Sequence, residues 1–182
     1  MFLRKNLFIL LSFAVQFARS QNPLYIPDTL DGTTFNLNVQ SGTKVFFTGY
    51  NTPTYGYNKN FLGPTLLMKK GDSITLNVVN TLTVATTVHW HGFHVAPYND
   101  GGPHQIIPKN STLSPSFKVR NNAGTYWYHP HGAGQTERQV SKGLAGMIII
   151  RDTIEKKYLL PDRKSTRLNS SHIQKSRMPS SA

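Results

Sequence analysis

The chain has 182 residues, enough for one medium-sized domain that buries a core without covalent cross-links. It contains no cysteine, which excludes a disulfide framework and any thiolate metal site. The formal charge of +12 is concentrated towards the two ends, because residues 21–162 carry twelve basic against eight acidic side chains. That balance is ordinary for a soluble surface, so we expect no nucleic-acid partner.

The first twenty residues have the pattern of a secretory signal peptide. Arg4 and Lys5 precede an apolar run over residues 7–17, and small residues stand just before Gln21. A short membrane anchor is the alternative, but the run is brief for a bilayer and no stop-transfer pattern follows it. We therefore expect a signal peptide at 1–20, no membrane span after its cleavage, and a secreted or periplasmic protein.

Residues 21–162 are predicted to form a single all-β domain. Short segments rich in Thr, Val and aromatic residues alternate with turn residues, and no long helical period is present. The predicted strands cover residues 34–39, 44–49, 65–69, 73–79, 86–91, 116–120, 124–129 and 144–150. Strands at this spacing, with a turn expected at Gly42, indicate a β-sandwich or barrel.

Two neighbouring segments, 65–69 and 73–79, are joined by a Lys-Gly-Asp turn at 70–72. This arrangement predicts a β-hairpin. Apolar residues alternate from Ile74 to Val78, so we expect one face of the second strand to be buried.

Three further segments give local expectations. The apolar run at 147–150 does not alternate, which predicts a strand buried on both faces, with Gly143 and Gly146 allowing close backbone approach. Residues 51–64 are expected to form a packed loop with structural aromatics. The connection over 92–113 is long for a compact domain, which favours a functional role.

The composition changes abruptly after residue 162. Residues 163–182 hold five basic and no acidic side chains, are rich in serine and show no periodicity. We expect this segment to be a disordered, non-native tail of the kind that a cloning or sequencing artefact adds, and we assign no role to His172 within it.

Two His-x-His pairs carry the strongest chemical signal: His89 with His91, and His129 with His131. In a β-strand, residues two apart point to the same face, so each pair offers two imidazoles on one side. Clustered neutral histidines are costly to bury without specific partners, which favours a metal site over unrelated core histidines. Imidazole ligation suits copper or zinc.

One alternative metal chemistry is hydrolytic. The metallo-hydrolase pattern His-x-His-x-Asp-His is nearly complete in His89, His91 and His94, but Phe93 occupies the position of the acid. Without that carboxylate, the group that would hold a second metal or move a proton is lacking. A zinc hydrolase is therefore disfavoured.

Four motifs combine into a more specific pattern: TVHWHGFH at 87–94, DGGP at 100–103, GTYWYHPHG at 124–132 and GLAGMII at 143–149. Together they resemble the first cupredoxin domain of the three-domain multicopper oxidases, which include laccases, copper-efflux oxidases and bilirubin-oxidase-like enzymes. The similarity covers about residues 36–151. It implies a cupredoxin-like Greek-key β-sandwich and copper as the cofactor.

The resemblance also implies individual roles. His89 resembles a ligand of the type 2 copper, and His91, His129 and His131 resemble ligands of the paired type 3 coppers. His94 and His104 match no ligand position of the family, so they are interpreted as structural or surface histidines. Asp100 matches the acid that assists proton delivery during oxygen reduction in the family. A turn aspartate before two glycines is an equally good interpretation of Asp100 from the sequence alone.

One departure from the family pattern limits this chain. A type 1 copper needs a cysteine, which the chain lacks, and a trinuclear copper cluster needs four further histidines from the last domain. The resemblance thus implies the N-terminal domain of a multicopper oxidase, cut off near residue 162 and inactive without its C-terminal cupredoxin domains. The complete enzyme would couple one-electron oxidation of a reducing substrate to four-electron reduction of O2 to water.

The reducing substrate is not predicted by the sequence: phenols, bilirubin-like pigments and cuprous or other metal ions are all compatible with it. A rival interpretation from another class is a non-enzymatic periplasmic copper-binding cupredoxin, for which the short chain would be complete. Met-rich ligands would favour that rival, but Met68 and Met147 have the pattern of core positions.

Overall fold

The computed structural model describes residues 25–154 and 157. The predicted signal peptide at 1–20 and the predicted tail at 163–182 lie outside them. The described residues form ten strands, one short α-helix and a single 3-10 turn at Pro97–Asn99. The strands and the α-helix are β1 (Thr29–Asp31), β2 (Thr34–Phe47), β3 (Tyr50–Tyr57), β4 (Thr65–Lys69), β5 (Ser73–Asn80), β6 (His89–His91), β7 (Ser111–Leu113), β8 (Ser116–Lys118), β9 (Gly124–His129), α1 (Thr136–Ser141) and β10 (Gly146–Arg151).

The strands form two sheets. The first sheet has the order β1-β4-β10-β9-β6, and the second has the order β3-β2-β5-β7, with β8 also paired to β5. Strands β1, β4 and β10 run parallel to one another, as do β2 and β5, whereas the remaining pairs are antiparallel. Parallel neighbours require connections that cross between the sheets, which is the Greek-key type of sandwich. The predicted all-β sandwich is confirmed.

The core lies between the two sheets and is built from alternate residues of the long strands. In β2, Phe35, Leu37 and Val39 are buried, while the residues between them are not fully covered. Ile74, Leu76 and Val78 repeat the pattern in β5, which confirms the predicted buried face. Full burial of each such side chain contributes about 1.5–3 kcal/mol, so this period-two pattern supplies much of the driving force for folding.

The predicted hairpin of β4 and β5 is wrong, because the two strands belong to different sheets. Strand β4 pairs with β1 and β10, whereas β5 pairs with β2. The turn at 70–72 instead carries the chain across the sandwich, and the Gly71 N–H donates to the Val119 carbonyl at 2.9 Å. The alternating pattern correctly predicted which face of each strand is buried. It does not distinguish two strands that pair side by side from two strands that face each other across the core.

Strand β2 is longer than predicted, because it passes through Gly42 without a turn. A Cβ at this position would lie 2.5 Å from the Cα of Asn60, so the glycine permits a close backbone approach. The expected loop over 51–64 is wrong in its first half, which forms β3 against β2. Its structural aromatics are confirmed, since Tyr57 is buried and contacts the Tyr128 ring with 5.0 Å between centroids.

Strand β10 occupies the centre of its sheet, between β4 and β9. Ile148 and Ile150 are buried, but Met147 is 46% exposed, so the prediction of burial on both faces is wrong for this strand. The expected close approach at Gly143 and Gly146 is confirmed. A Cβ on Gly143 would lie 2.6 Å from the Tyr55 carbonyl oxygen, and one on Gly146 would overlap the phenol ring of Tyr128.

We expect Gly146→Ala to lower the free energy of unfolding by about 1–3 kcal/mol, because the new methyl group must displace the buried Tyr128 ring. Denaturant unfolding of the chain measures this loss. Gly124→Ala in β9 is the matched control, since its Cβ would stay 3.5 Å from the nearest atom, in Tyr126. Equal stability of the Gly146→Ala variant and the unchanged chain would contradict the predicted overlap.

Candidate metal centre

Strands β6 and β9 bring three of the four predicted histidines together. The two strands pair antiparallel, so that His89 lies opposite His129 and His91 lies opposite Trp127. Trp90, between the two histidines of β6, points into the core and is 1% exposed. The imidazoles therefore share the other face, at the edge of the first sheet.

The fourth histidine, His131, follows β9 instead of lying in it. The expectation that both pairs sit within strands is wrong at this position, because β9 ends at His129 and Pro130 follows. Proline lacks the N–H that would continue the ladder. His131 nevertheless stays beside the cluster, with its ring centroid 5.1 Å from that of His89.

All four rings form one cluster around His89. The ring centroids of His91 and His129 lie 5.6 and 5.5 Å from that of His89. One ligand nitrogen from each of these three residues falls within 4.8 Å of the others, a grouping that could hold a metal ion. His131 lies outside this tightest group but adjoins it.

The spacing of His91 and His129 fits two ligands on one metal. Nδ1 of His91 lies 3.2 Å from Nε2 of His129. Two nitrogens bound at about 2.0–2.1 Å in a tetrahedral arrangement are about 3.3 Å apart, so the side chains match this requirement with little adjustment. An imidazole donor set of this kind suits copper or zinc.

The hydrogen bonds of His89 and His129 to backbone carbonyls fix which nitrogen of each ring carries the proton. Nδ1 of His89 donates to the Asp100 carbonyl at 2.8 Å, and Nδ1 of His129 donates to the Pro130 carbonyl at 2.7 Å. A carbonyl oxygen only accepts, so the proton lies on Nδ1 in both rings. The lone pair is then on Nε2, which in His129 faces the cluster and lies within hydrogen-bond distance of Nδ1 of His91.

The protonation state of His129 also favours metal binding. Burial lowers the pKa of His129, and the neighbouring His89, His91 and His131 lower it further, whereas its bond to the Pro130 carbonyl acts in the opposite direction. The ring is therefore held neutral at pH 7, when its Nε2 lone pair can bind a metal without first losing a proton.

Asp100 lies against His89. Its Oδ2 is 3.4 Å from Nδ1 of His89, and its side chain is 36% exposed. The preceding turn is held in place by Trp90, whose indole N–H donates to the Asn99 carbonyl at 3.0 Å. Asp100 can therefore orient His89 through both its backbone and its carboxylate while keeping contact with solvent.

Two other histidines stay apart from the cluster. His94 and His104 are exposed, and neither belongs to the metal-binding group found among the described residues. Phe93, which replaces the acid of the hydrolase pattern, packs against the rings of Phe117 and Tyr126. Phe93 therefore belongs to the core, which is a further reason to disfavour the hydrolytic interpretation.

Trp127 contributes more to the site than the sequence indicated. Its ring stacks on His129 with 3.9 Å between centroids and lies 5.1 Å from the His91 ring. Period-two alternation from His129 would have put Trp127 on the same face, which is the signal that could have found the contact.

Among the residues that the structure describes, the sole α-helix spans six residues and could not cross a bilayer.

A two-sheet Greek-key sandwich with clustered histidines at one sheet edge defines a cupredoxin-type metal-binding domain. A family model described as multicopper oxidase matches residues 38–155. The chain belongs to the multicopper oxidase family.

Solved structures of the family share the fold. A laccase-like multicopper oxidase, CueO, from Ochrobactrum sp. superposes with a TM-score of 0.74 at 35% identity, covering 77% of this chain and 32% of that one. A multicopper oxidase from Pediococcus acidilactici gives a TM-score of 0.75 at 36% identity, covering 79% of this chain and 32% of its own. The predicted cupredoxin-like fold is thereby confirmed.

Curated relatives carry two different names. Multicopper oxidase mco of Staphylococcus aureus is 38% identical over 148 residues, which are 78% of this chain and 33% of the relative. Cell division protein FtsP of Escherichia coli is 33% identical over 148 residues, or 80% of this chain and 32% of the relative. The chain thus spans about a third of the length of the curated relatives it matches.

We expect His129→Ala to weaken Cu(I) binding by the 182-residue chain at least about tenfold, because it removes a neutral nitrogen from the tightest part of the cluster. Competition with a chromophoric chelator measures the affinity. His104→Ala is the control, since that histidine is exposed and outside the cluster. Unchanged affinity in the His129→Ala variant, with the fold intact by circular dichroism, would refute the assignment.

Proposed function

We propose that this chain provides half of the protein ligands of a trinuclear copper centre. In this proposal His89 binds the type 2 copper, and His91, His129 and His131 bind the type 3 pair. The convergence of ligand nitrogens from His89, His91 and His129 within 4.8 Å carries the proposal. Copper bound there would supply the electron transfer by which O2 is reduced to water.

The protein's own groups would prepare this centre in two ways. The carbonyls of Asp100 and Pro130 fix the protons of His89 and His129 on Nδ1, so that Nε2 of each ring carries the lone pair that would bind a metal. The lowered pKa of His129 keeps that ring neutral at pH 7, which reduces competition from protons.

Asp100 is proposed to hold and deliver protons for the reduction of O2. Its Oδ2 lies 3.4 Å from the imidazole of His89, and about a third of its side chain is open to solvent. A carboxyl group in this position can take a proton from water and release it next to the centre. The same carboxylate would keep the His89 ring aligned.

The complete enzyme is proposed to need cupredoxin domains that this sequence does not contain. The chain lacks the cysteine of a type 1 copper, and its four clustered histidines are too few for three coppers. The missing ligands, the substrate-oxidising copper and the contact with the reducing substrate would then lie in C-terminal domains. The matched part of this chain spans 33% and 32% of two such relatives, which supports this division.

The chain alone is proposed to be inactive as an oxidase, and the complete protein is proposed to be secreted or periplasmic. The second proposal rests on the signal-like pattern of residues 1–20. Translocation before cleavage would place the copper centre outside the cytoplasm. A reducing substrate that is found outside the cytoplasm, whether a phenol, a pigment or a metal ion, is compatible with that location.

A non-enzymatic role is the second candidate. Family membership alone does not decide between the roles, since a relative at 33% identity is named as a cell division protein. The four-histidine cluster favours copper chemistry over a purely structural role. A copper-binding cupredoxin without oxidase activity would bind about one copper tightly and would need no further domain.

The reading frame of the gene distinguishes the two candidates. We expect the genomic sequence beyond codon 162 to continue into further cupredoxin domains with a His-Cys-His motif, because the centre needs additional histidines and a thiolate. Resequencing the locus tests this. A genuine stop codon at that point, with no such motif downstream, would favour the non-enzymatic copper-binding protein.

In the full-length protein, we expect Asp100→Asn to lower the rate of O2 consumption by about 100-fold while the copper content stays unchanged, because the amide cannot carry the proton. An oxygen electrode and metal analysis provide the two measurements. Asp31→Asn is the control, because this exposed aspartate lies in β1, at the opposite edge of the sheet from β6. A full rate in the Asp100→Asn enzyme would refute the proton-delivery role.

A further inference from the structure

His131 is held in the cluster through its backbone. Its N–H donates to the hydroxyl oxygen of Thr87 at 2.6 Å. Thr87 is 1% exposed and precedes His89 by two residues. Within the described part of the chain, no hydrogen bond to the His131 ring is present, and the residue is exposed. Among the described residues, the bond to Thr87 is therefore the hydrogen bond that ties His131 itself to the segment carrying the first histidine pair.

A second buried link joins the same two segments further from the cluster. Gln139 in α1 is 1% exposed, and its Nε2 donates to the Ala85 carbonyl at 2.9 Å. Its Oε1 accepts from the hydroxyl of Thr86 at 2.7 Å. Both polar groups of this buried amide are thus satisfied by the stretch just before the first histidine pair.

The loop between His131 and Gln139 is fixed at its near end as well. The carbonyl of Gly132 accepts from the N–H of Gln135 at 3.1 Å and from the hydroxyl of Thr136 at 3.0 Å. The loop therefore leads directly into α1. Because loop and helix are joined by these hydrogen bonds, anchoring Gln139 also restricts the position of His131. Because the amide of Gln139 is buried, sliding one segment past the other would leave its groups unpaired.

We propose that Thr87 and Gln139 are positioning residues that hold the segment after β9 against the segment before β6, and so determine whether His131 can bind metal together with the other three. This inference rests on the proposed copper site. His131 is the member of the cluster that β9 does not position, and a metal site tolerates displacements of only about 0.5 Å. The hydrogen bonds of Thr87 and Gln139 thus position His131, as strand pairing positions the other three histidines.

Thr87→Val removes the acceptor at nearly constant volume and provides the main test. We expect this variant of the 182-residue chain to bind Cu(I) about tenfold more weakly. In nuclear magnetic resonance spectra, the ring signals of His131 should stop responding to Cu(I), whereas those of His89 and His129 still shift. Thr87→Ser keeps the hydroxyl and should restore binding to within about twofold of the unchanged chain.

Thr54→Val is the matched control for a purely structural effect. Thr54 is also a buried threonine, and its hydroxyl donates to the Asn60 carbonyl at 2.5 Å, in a loop that carries none of the clustered histidines. This variant should lose stability on thermal unfolding but keep its Cu(I) affinity and the His131 response. If Thr87→Val does not fold, Gln139→Met tests the second link with the same measurements and the same expected loss.

The outcomes separate this inference from the proposed function. Unchanged Cu(I) affinity and an unchanged His131 response in a folded Thr87→Val or Gln139→Met variant overturn the positioning role alone. An equal loss of affinity in Thr54→Val overturns it too, since general destabilisation would then explain the effect. Failure of the unchanged chain to bind Cu(I) overturns the proposed copper site, and the positioning role with it.

Discussion

The site depends on the register between β6 and β9. In that register Trp90 lies opposite Tyr128, and both rings enter the core, so that His89 and His129 meet on the other face. A slip of one residue would exchange the two faces and bury imidazoles in place of the aromatic rings. The free energy of burying Trp90 and Tyr128 is thus what holds the histidines at the sheet edge.

The aromatic core also fixes the position of β9 relative to the neighbouring strands. The hydroxyl of Tyr128 donates to the Pro64 carbonyl at 2.8 Å, and its ring rests where Gly146 leaves room. Burial raises the pKa of Tyr128 well above its usual range, so the phenol remains a neutral donor. A shift of β9 would therefore break a buried hydrogen bond and create a steric overlap. These packing constraints make the metal site rigid.

Period-two patterns predicted which residues share a face, and this accounts for most of what the sequence revealed. The buried faces of β2 and β5 follow from alternation, as does the convergence of His89 and His91. The pairing partners of the strands could not be predicted in this way, because the alternating pattern is the same for a hairpin and for two strands that face each other across a sandwich. The same limit applies at Gly42, where a close approach by Asn60 explains a glycine that sequence reasoning assigned to a turn.

His131 shows that a motif can identify the residues of a site without predicting how they are arranged. The motif places His131 two residues after His129, as in a strand, yet Pro130 ends β9 and the following loop leaves the sheet. Three histidines are arranged by strand geometry and packing, and the fourth by side-chain hydrogen bonds between remote segments. The two parts of the cluster therefore depend on different interactions, so a change at Thr87 or Gln139 would displace His131 without disturbing the register of β6 and β9.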